Sequence, residues 1–415
     1  MMDSSKVAAF ISAKRRSKGL TQQQVAQRLS ISFQAVSKWE NGTTFPNTEL
    51  LPALADLLGV TVDEMLRGHE TADASFSYRK AGVDIDYTDT LKRDMGGIIA
   101  TDNPRVLNGL GQFASLYDIG FDGIANPVLV LKSEEPGSKQ KLAMEYGFVE
   151  SICHDMINHL VNDIAVMGAA PLAVLDTIVC GQAEKETINS IVRGIAEACR
   201  QNECALVGGE TSVQPGIIDS GTYILTSTVA GIVDRTNIID GSRIAAGDIV
   251  LAAASNGLHT NGYSLVRMLM DEMPHIKREK VGDESFIDAI MRPHTAYYRA
   301  IKPLFGSGKL KGMAHITGGG IEGNLKRIMP DGLCACVDLS KLKPLPLFKY
   351  LKDNGNIEDS EMLSTFNCGV GLVLVVEPAC AEYVAERVGR YYDCYPIGQV
   401  TEGGAGVEFV NAPVW

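Results

Sequence analysis

The 415-residue sequence has no long hydrophobic run, and its first residues do not have the layout of an export signal. No stretch approaches the ~18 uninterrupted apolar residues that a membrane-spanning helix needs. The opening MMDSSKVAAFISAKRRSKG places its positive charges after a short apolar stretch, whereas a signal peptide places them before it. We therefore expect a cytoplasmic protein without a membrane partner.

The sequence also lacks the cysteine spacing of a metal-binding or disulfide-linked framework. Its nine cysteines are an odd number, and no two of them form a CxxC pair. A zinc knuckle needs closely paired cysteines, and a disulfide scaffold needs an even set in a short secreted chain. The sequence therefore predicts free thiols in a reducing compartment.

The composition excludes general disorder and a chain-wide affinity for nucleic acid. Hydrophobic residues make up 45% of the chain and charged residues 21%, as in folded globular proteins, and the net charge is −12. The charge is uneven, because residues 1–70 carry eight Lys or Arg and seven Asp or Glu. We expect a small, locally basic module over 1–68, a polar linker over 69–77 and a large acidic body.

The small module has helical periodicity throughout. Thr21 and Gln24 form a capping-box pattern, and Val36 and Trp39 are spaced for one buried helix face. Periodicity alone fits any small helical bundle. The segment LTQQQVAQRLSISFQAVSKWENG, however, resembles the helix-turn-helix of the phage-repressor (Cro/C1-type) family, a fold that sometimes serves in protein docking instead. This resemblance implies that residues 1–68 bind duplex DNA.

A recognition helix enters the major groove only if short polar side chains face outward from its N-terminal part. A residue at the start of the preceding helix can bind a phosphate. A module of this size normally reads DNA as a dimer, so we expect a homodimer. The residues expected to contact DNA are Gln22, Ser32, Gln34, Ser37 and Lys38.

From Tyr78 onward, strand-like apolar runs alternate with amphipathic helical segments. The polar turn over 234–248 divides this body into two halves of similar length. We therefore predict an α+β chain: an all-α N-terminal module, then a two-domain mixed α/β body with domains over 78–235 and 236–415. The predicted strands cover 126–132, 223–233, 248–255 and 370–376, and the predicted helices cover 149–168, 186–202 and 264–273.

Glycine-rich and charged motifs lie at the predicted strand ends of the body. They include AGVDID (81–86), VND (161–163), LVGGET (206–211), HTNGYSLVR (259–267), AHITGGG (314–320) and FNCGVG (366–371). In order and spacing, residues 78–410 resemble aminoimidazole ribonucleotide synthetase, the cyclo-ligase of purine biosynthesis. Several of these motifs also occur in a wider ATP-binding superfamily, while HTNGYSLVR, AHITGGG and FNCGVG are more particular to the cyclo-ligase.

The resemblance implies a body that binds ATP, Mg²⁺ and formylglycinamidine ribonucleotide and closes the imidazole ring after phosphorylating the formamide oxygen. Such chemistry needs charge neutralisation around the triphosphate, backbone donors for the substrate phosphate and a dry site. The implied metal ligands are Asp84, Asp86, Glu134 and Asp163. The implied nucleotide contacts are Glu134, Gly137, Ser138, Lys139, Asp163, Gly208, Gly209 and Glu210. Substrate would contact Asn261, Gly318, Gly319 and Gly320, and catalysis would use His259, His315 and Asp163.

The nucleotide loop departs from the G-T-D-G-V-G-T-K pattern of that family, because residues 132–139 read KSEEPGSK. Lys132 and Glu135 replace two glycines, which removes backbone freedom. The negative charge of Glu135 is also unfavourable beside a triphosphate. A carboxylate, a hydroxyl and a lysine are retained as Glu134, Ser138 and Lys139.

Two functions fit these residues, and the enzyme is the favoured one. The retained polar groups favour an ATP-dependent cyclo-ligase with an attached DNA-binding module. The altered glycines favour a transcriptional regulator whose catalytically impaired body senses a purine-pathway ligand. The enzyme interpretation requires a loop around Pro136 that encloses a magnesium-bound nucleotide, and it fails if Lys132 or Glu135 fills that hollow. The family pairs its sheets across a two-fold axis, which also implies a homodimer.

Overall fold

The computed structural model describes residues 4–69, 85–99, 101–108, 114–404 and 406–415. Contacts divide the chain into two units, Met1–Lys80 and Ala81–Trp415. No helix in the described ranges has the length and hydrophobicity to cross a membrane. Of the predicted linker 69–77, only His69 lies among the described residues.

The first unit is a helical bundle around one small core. Thr21 caps the second helix: its side chain accepts a hydrogen bond from the Gln24 backbone N–H, and the Gln24 side chain accepts one in return, which confirms the capping box. Val36 and Trp39 are buried on one face of the third helix, as expected. The helices are α1 (Ser4–Ser17), α2 (Gln22–Arg28), α3 (Phe33–Glu40), α4 (Leu51–Leu58) and α5 (Val62–Arg67).

A buried ion pair joins the first three helices. Arg15 of α1 lies 2.5 Å from Glu40 of α3, and Gln22 at the start of α2 donates to the same carboxylate at 2.7 Å. Between α2 and α3, Ser30 has a φ of 54°, the left-handed conformation that makes the tight turn. This arrangement is that of a helix-turn-helix.

The second unit contains two mixed sheets with helices packed on them. Its helices are α6 (Ile85–Ile99), α7 (Lys139–Tyr146), α8 (Val149–Ala165), α9 (Lys185–Gln201), α10 (Tyr263–Glu272), α11 (Phe286–Met291), α12 (Tyr298–Ile301), α13 (Gly320–Leu325), α14 (Pro346–Gly355), α15 (Asp359–Thr365) and α16 (Pro378–Gly389). Its strands are β1 (Pro127–Glu134), β2 (Ala170–Cys180), β3 (Ala205–Val213), β4 (Tyr223–Asp234), β5 (Ile249–Ala254), β6 (Lys280–Val281), β7 (Glu284–Ser285), β8 (Leu310–His315), β9 (Leu333–Asp338), β10 (Val370–Val376), β11 (Cys394–Glu402) and β12 (Gly406–Val410). Short 3-10 turns cover Thr48–Leu50, Arg235–Asn237, Pro274–Arg278, Lys302–Leu304, Lys326–Ile328 and Leu339–Lys341.

The first sheet has the order β1-β4-β2-β3, in which only β2 and β3 run parallel. Side chains along β4 alternate between buried and half-buried, as expected for a sheet with one face covered by helices. The register aligns Glu134, Ser227 and Asp176 in one row across β1, β4 and β2. On the other face, Leu129 and Leu131 are exposed.

The second sheet has the order β12-β9-β11-β5-β10-β8, and a separate two-stranded ribbon pairs β6 with β7. Every residue of β10 is buried, so this central strand is covered on both faces. The first sheet lies within 127–234 and the second within 249–410. Together with the helical first unit, this architecture confirms the predicted fold class.

Candidate functional site

Four of the seven histidines converge in the body, and we call them the histidine cluster: His159, His259, His294 and His315. His159 lies on α8, and His315 ends β8. His259 and His294 lie in the loops that follow β5 and α11. All four are buried, and the rings of His259 and His294 stack with centroids 3.9 Å apart. The cluster therefore joins α8, which packs on the first sheet, to β8 of the second sheet.

Asp163 orients one side of the histidine cluster. Its Oδ1 lies 2.7 Å from His315 Nδ1, and His315 Nε2 lies 2.8 Å from His294 Nε2. Burial alone would raise the pKa of Asp163, but the hydrogen bond from His315 and the nearby cationic groups hold it well below its usual value. The ionised carboxylate can only accept, so His315 Nδ1 donates and His315 Nε2 faces the interior of the cluster.

Lys132 occupies the hollow between two of the four carboxylates that were expected to hold magnesium. Its Nζ lies 3.0 Å from Glu134 Oε2 and 3.1 Å from Asp163 Oδ2. Burial opposes the charge of Lys132, yet these carboxylates outweigh it and raise the pKa of the ammonium. Mg²⁺ needs near-octahedral oxygen ligands at about 2.0–2.1 Å, and here an ammonium already compensates both carboxylates. In this arrangement Glu134 and Asp163 do not fit a magnesium ion.

Lys139 also differs from its expected role as a phosphate contact. Its side chain is completely buried, and Nζ donates to Asp155 Oδ1 at 2.8 Å and to the carbonyls of Arg292 and His259. Burial lowers the pKa of Lys139 and raises that of Asp155 to about 6. Asp155 in turn accepts from the backbone N–H of His294. All three donors of the ammonium are used, so Lys139 fixes the loops of the histidine cluster and has none left for a nucleotide.

Several other predicted residues do lie together beside the histidine cluster. A Cβ added to Gly137, whose φ is +62°, would lie 3.7 Å from the Thr260 carbonyl, and Thr260 Oγ1 lies 3.1 Å from His159 Nδ1. A Cβ on Gly318 would lie 3.2 Å from Asn261 Oδ1. The Nδ2 of Asn261 is buried without a hydrogen-bond partner among the described residues. The loops at 137, 260–261 and 318 therefore border one site.

The glycines that follow Gly318 shape the same loop. Gly319 and Gly320 have φ values of +93° and +61°. A side chain on Gly320 would also collide with the Leu363 carbonyl. The loop over 318–320 therefore requires glycine for its backbone path, whatever it binds.

Ser138, which was expected to contact the nucleotide, is half-buried and immediately precedes α7.

The LVGGET segment does not bring its carboxylate to the histidine cluster. Glu210 is exposed and pairs with Thr177 across β2 and β3, whereas Asp176 pairs with Gly209. Because successive side chains of a strand point to opposite faces, Glu210 lies on the opposite face of the sheet from Asp176. Gly208 is buried and Gly209 is exposed within β3. Asp84 and the side chain of Asp86 lie outside the described residues.

Three residues near the site were missed by the sequence analysis. Burial raises the pKa of Asp176 to about 7. Its signal was a lone carboxylate in the apolar segment LAVLDTIVC. His159 lies four residues before Asp163 and therefore on the same helix face. His294 belongs to no recognisable motif, so only the tertiary structure reveals it.

Four of the five residues expected to bind DNA lie on α3 or cap it, and Gln22 begins α2. Ser32 caps α3 by accepting from the Ala35 backbone N–H, and Gln34 and Lys38 are exposed, while Ser37 is half-buried. Phe33, which was not predicted, is also 48% exposed on this helix. Gln22 differs from the expectation, because its side chain donates to Glu40 inside the module.

Residues 130–233 match the family model for the N-terminal domain of AIR synthase related proteins, and residues 245–411 match that for the C-terminal domain. The phosphoribosylformylglycinamidine cyclo-ligase of Methylobacillus flagellatus is 43% identical over 336 residues, which cover 80% of this chain and 96% of that protein. The chain belongs to the AIR synthase related family. The resemblance stated from the motifs is thereby confirmed, and a match of residues 11–65 to a helix-turn-helix model confirms the class of the first module.

Other proteins similar to this AIR synthase related chain agree with that assignment. The phosphoribosylformylglycinamidine cyclo-ligase of Chromobacterium violaceum is 40% identical over 335 residues, covering 80% of this chain and 97% of that protein. Thiamine-monophosphate kinase from Stenotrophomonas maltophilia has a TM-score of 0.56 at 18% identity, covering 79% and 96% of the two chains. The hydrogenase maturation protein HypE, solved in complex with ATP, has a TM-score of 0.54 at 17% identity, covering 81% and 93%. The two structures show a shared fold.

Proposed function

We propose that this AIR synthase related chain is a DNA-binding regulator whose body binds a purine-pathway ribonucleotide without efficient ATP-dependent turnover. The observation that carries this proposal is the position of Lys132, whose ammonium lies between Glu134 and Asp163. The sequence analysis had favoured the enzyme, on the condition that this hollow stays open to a magnesium-bound nucleotide.

Two further features of the nucleotide loop support impaired turnover. Lys139, the retained lysine of the loop, donates its three hydrogen bonds to Asp155 and to two backbone carbonyls. Glu135 adds a negative charge where a triphosphate needs cations. A magnesium-bound triphosphate would therefore have to break existing ion pairs before it could be held here.

The remaining loops support binding of a ribonucleotide. The loop of Gly318 lies beside Asn261, whose Nδ2 has no internal partner among the described residues, while the backbone N–H groups of Gly319 and Gly320 already donate to the carbonyls of Ser364 and Thr317. The Nδ2 group of Asn261 can donate a hydrogen bond to a phosphate oxygen. The ligand class that we propose is therefore that of the relatives' named substrate, a formylglycinamidine ribonucleotide, acting in the cytoplasm as an effector.

The outer face of the first sheet supports a homodimer. Leu129, Leu131 and Leu175 are between 47% and 63% exposed on this face, which is unusual for large apolar side chains. Pairing two copies through these sheets would bring together two helix-turn-helix modules, as two half-sites in DNA require. Ligand binding in the body can then change DNA affinity through the spacing of the two α3 helices.

A second candidate is ATP-dependent cyclisation of formylglycinamidine ribonucleotide to aminoimidazole ribonucleotide. It is favoured by the 43% identity to a cyclo-ligase over 96% of that protein's length. The Lys132 side chain is 37% exposed, so its ion pairs are screened by solvent and a strongly bound Mg²⁺–ATP complex could displace the ammonium.

An assay that measures binding and turnover separately distinguishes the two functions. The full chain is incubated with Mg²⁺, ATP and formylglycinamidine ribonucleotide, and ADP release is compared with that of the M. flagellatus cyclo-ligase. Binding of the ribonucleotide alone is measured by calorimetry. We expect binding without ADP release above the ribonucleotide-free background. Release at a rate comparable to that of the relative would establish the second candidate, and failure to bind the ribonucleotide would contradict both.

A further inference from the structure

We infer that the histidine cluster is a binding site for a divalent transition-metal ion of the zinc type, with His259, His294 and His315 as its ligands. The family resemblance had implied an oxygen-ligated Mg²⁺ at the carboxylates and separate acid–base roles for His259 and His315. A site built from imidazoles is chemically different, because nitrogen ligands favour zinc and neighbouring transition metals over magnesium.

The three histidines are already close to coordination distance. One ring nitrogen from each lies within 4.8 Å of the others. Ligand nitrogens bound at about 2.0–2.1 Å to a tetrahedral zinc ion are about 3.3–3.4 Å apart. Because the rings of His259 and His294 stack face to face with centroids 3.9 Å apart, binding requires one of the two rings to rotate until its plane points at the ion.

Hydrogen bonds outside the cluster orient two of these rings. Asp163 accepts from Nδ1 of His315, which leaves Nε2 as the inward nitrogen. Thr295 Oγ1 lies 3.1 Å from Nε2 of His259. The other ring nitrogen of His259, Nδ1, is buried with no partner in the described part of the chain. A carboxylate or hydroxyl behind each imidazole is the usual support of a histidine metal ligand.

Two ring nitrogens of the histidine cluster have no hydrogen-bond partner among the described residues. Nε2 of His294 and Nε2 of His315 face each other at 2.8 Å, so they share a single proton. Nδ1 of His294, like that of His259, is buried without a hydrogen-bond partner within the described ranges. Buried polar atoms normally have partners, and a bound cation would supply one to these nitrogens.

Carboxylates stand behind two of the proposed ligands, and each also pairs with a lysine, Asp163 with Lys132 and Asp155 with Lys139. The Asp163 carboxylate is hydrogen-bonded to His315, and the Asp155 carboxylate accepts from the His294 backbone N–H. His159, Asp163 and His315 form a second possible group, with ligand atoms also within 4.8 Å. Because Asp163 already pairs with Lys132, we assign the ion to the three-histidine group.

Metal titration of the full chain tests this inference. Protein stripped with a chelator is titrated with Co²⁺, whose visible absorption reports a low-coordinate nitrogen site, and then with Zn²⁺ as competitor. We expect one Co²⁺ per chain, displacement by one equivalent of Zn²⁺, and no displacement by a large excess of Mg²⁺. Binding below stoichiometry, or equal competition by Mg²⁺, would overturn the inference.

Two variants assign the ligands. His294→Ala should weaken Zn²⁺ binding at least 100-fold, because it removes one of three ligands. His275→Ala is the matched control, since His275 is exposed in the Pro274–Arg278 turn and should leave the affinity unchanged. Unchanged affinity in His294→Ala, or equal loss in both variants, contradicts the assignment.

The wild-type chain gives an independent measurement if His294→Ala does not fold. X-ray absorption of its zinc-loaded form should show about three imidazole ligands, and a spectrum without imidazole scattering would refute the site. Neither DNA nor ribonucleotide is present in these experiments. Their outcome is therefore independent of whether the chain is a regulator or an enzyme.

Discussion

Replacing Lys132 with alanine should strengthen magnesium-dependent nucleotide binding. The ammonium is shared between Glu134 and Asp163, at 3.0 and 3.1 Å, and it competes with any cation that these carboxylates would hold. Lys132→Ala leaves the two carboxylates facing each other without a counter-ion. The variant should therefore gain affinity for Mg²⁺ and for a magnesium-bound triphosphate.

The size of this gain follows from the exposure of the ion pairs. The side chains of Lys132, Glu134 and Asp163 are 37%, 23% and 21% exposed. Partly exposed pairs of this kind contribute about 0.2–1 kcal/mol each, so the two together oppose metal binding by about 0.5–2 kcal/mol. Because about 1.4 kcal/mol corresponds to a tenfold change, we expect roughly a 2- to 30-fold gain in affinity.

Calorimetric titration with a non-hydrolysable ATP analogue, with and without Mg²⁺, measures this gain. Lys141→Ala is the matched control, because Lys141 is an exposed lysine on the neighbouring helix α7 and its loss changes the net charge equally. The gain should appear in Lys132→Ala only when Mg²⁺ is present. Equal or weaker binding by Lys132→Ala in Mg²⁺ would refute the assignment of the hollow to this ammonium.

Three further substitutions test other parts of the account. Asp176 has a pKa of about 7 in the folded chain, against an ordinary value of 3.8. Between these pH values the folded chain keeps a proton that the unfolded chain releases. The free energy of unfolding should therefore fall as pH rises from about 4 to 7. Asp176→Asn should reduce that fall by up to about 1.4 kcal/mol per pH unit in urea unfolding. Gln34→Ala should weaken binding to a selected DNA site by about 1–3 kcal/mol, or roughly 5- to 150-fold, in a fluorescence anisotropy titration. Glu40→Ala leaves Arg15 without its buried partner and should destabilise the helix-turn-helix module by about 3 kcal/mol, read from Trp39 fluorescence.

Matched variants keep these three predictions specific. Gln27→Ala removes an exposed amide from α2 and should leave DNA affinity unchanged, so equal losses in the two glutamine variants would contradict a recognition role for α3. Asp63→Ala breaks a pair that is 60% exposed at both residues and should cost less than about 1 kcal/mol. Trp415→Phe leaves Trp39 as the single tryptophan reporter. A pH dependence that is identical in wild type and Asp176→Asn would refute the shifted pKa.

Local patterns predict most of the fold. Alternating and continuous apolar runs place β4, β5 and β10 within two residues of their observed ends, because each strand faces a helix layer or is covered on both sides. The buried face of α4 is harder to predict, because adjacent leucines leave the helix phase ambiguous, and in the structure Leu58 is the buried one.

The candidate site was only partly predictable because its chemistry depends on contacts between distant segments. The carbonyl of His294 accepts a hydrogen bond from Asn158, which lies 136 residues earlier in the chain, and no local motif marks the role of His294. Lys139 matches the family pattern in sequence, but in the structure its ammonium forms a buried ion pair with Asp155. The sequence did identify Lys132 as the residue to examine, because a long charged side chain stands where the family has glycine.

The most direct test of the central claim is the affinity of the full chain for a selected DNA site with and without formylglycinamidine ribonucleotide, in the absence of ATP. A regulator whose body communicates with its DNA-binding modules predicts a change of at least about fivefold, the lower end of typical allosteric coupling. Equal affinity at saturating ribonucleotide, with binding of that ligand verified by calorimetry, would contradict the account.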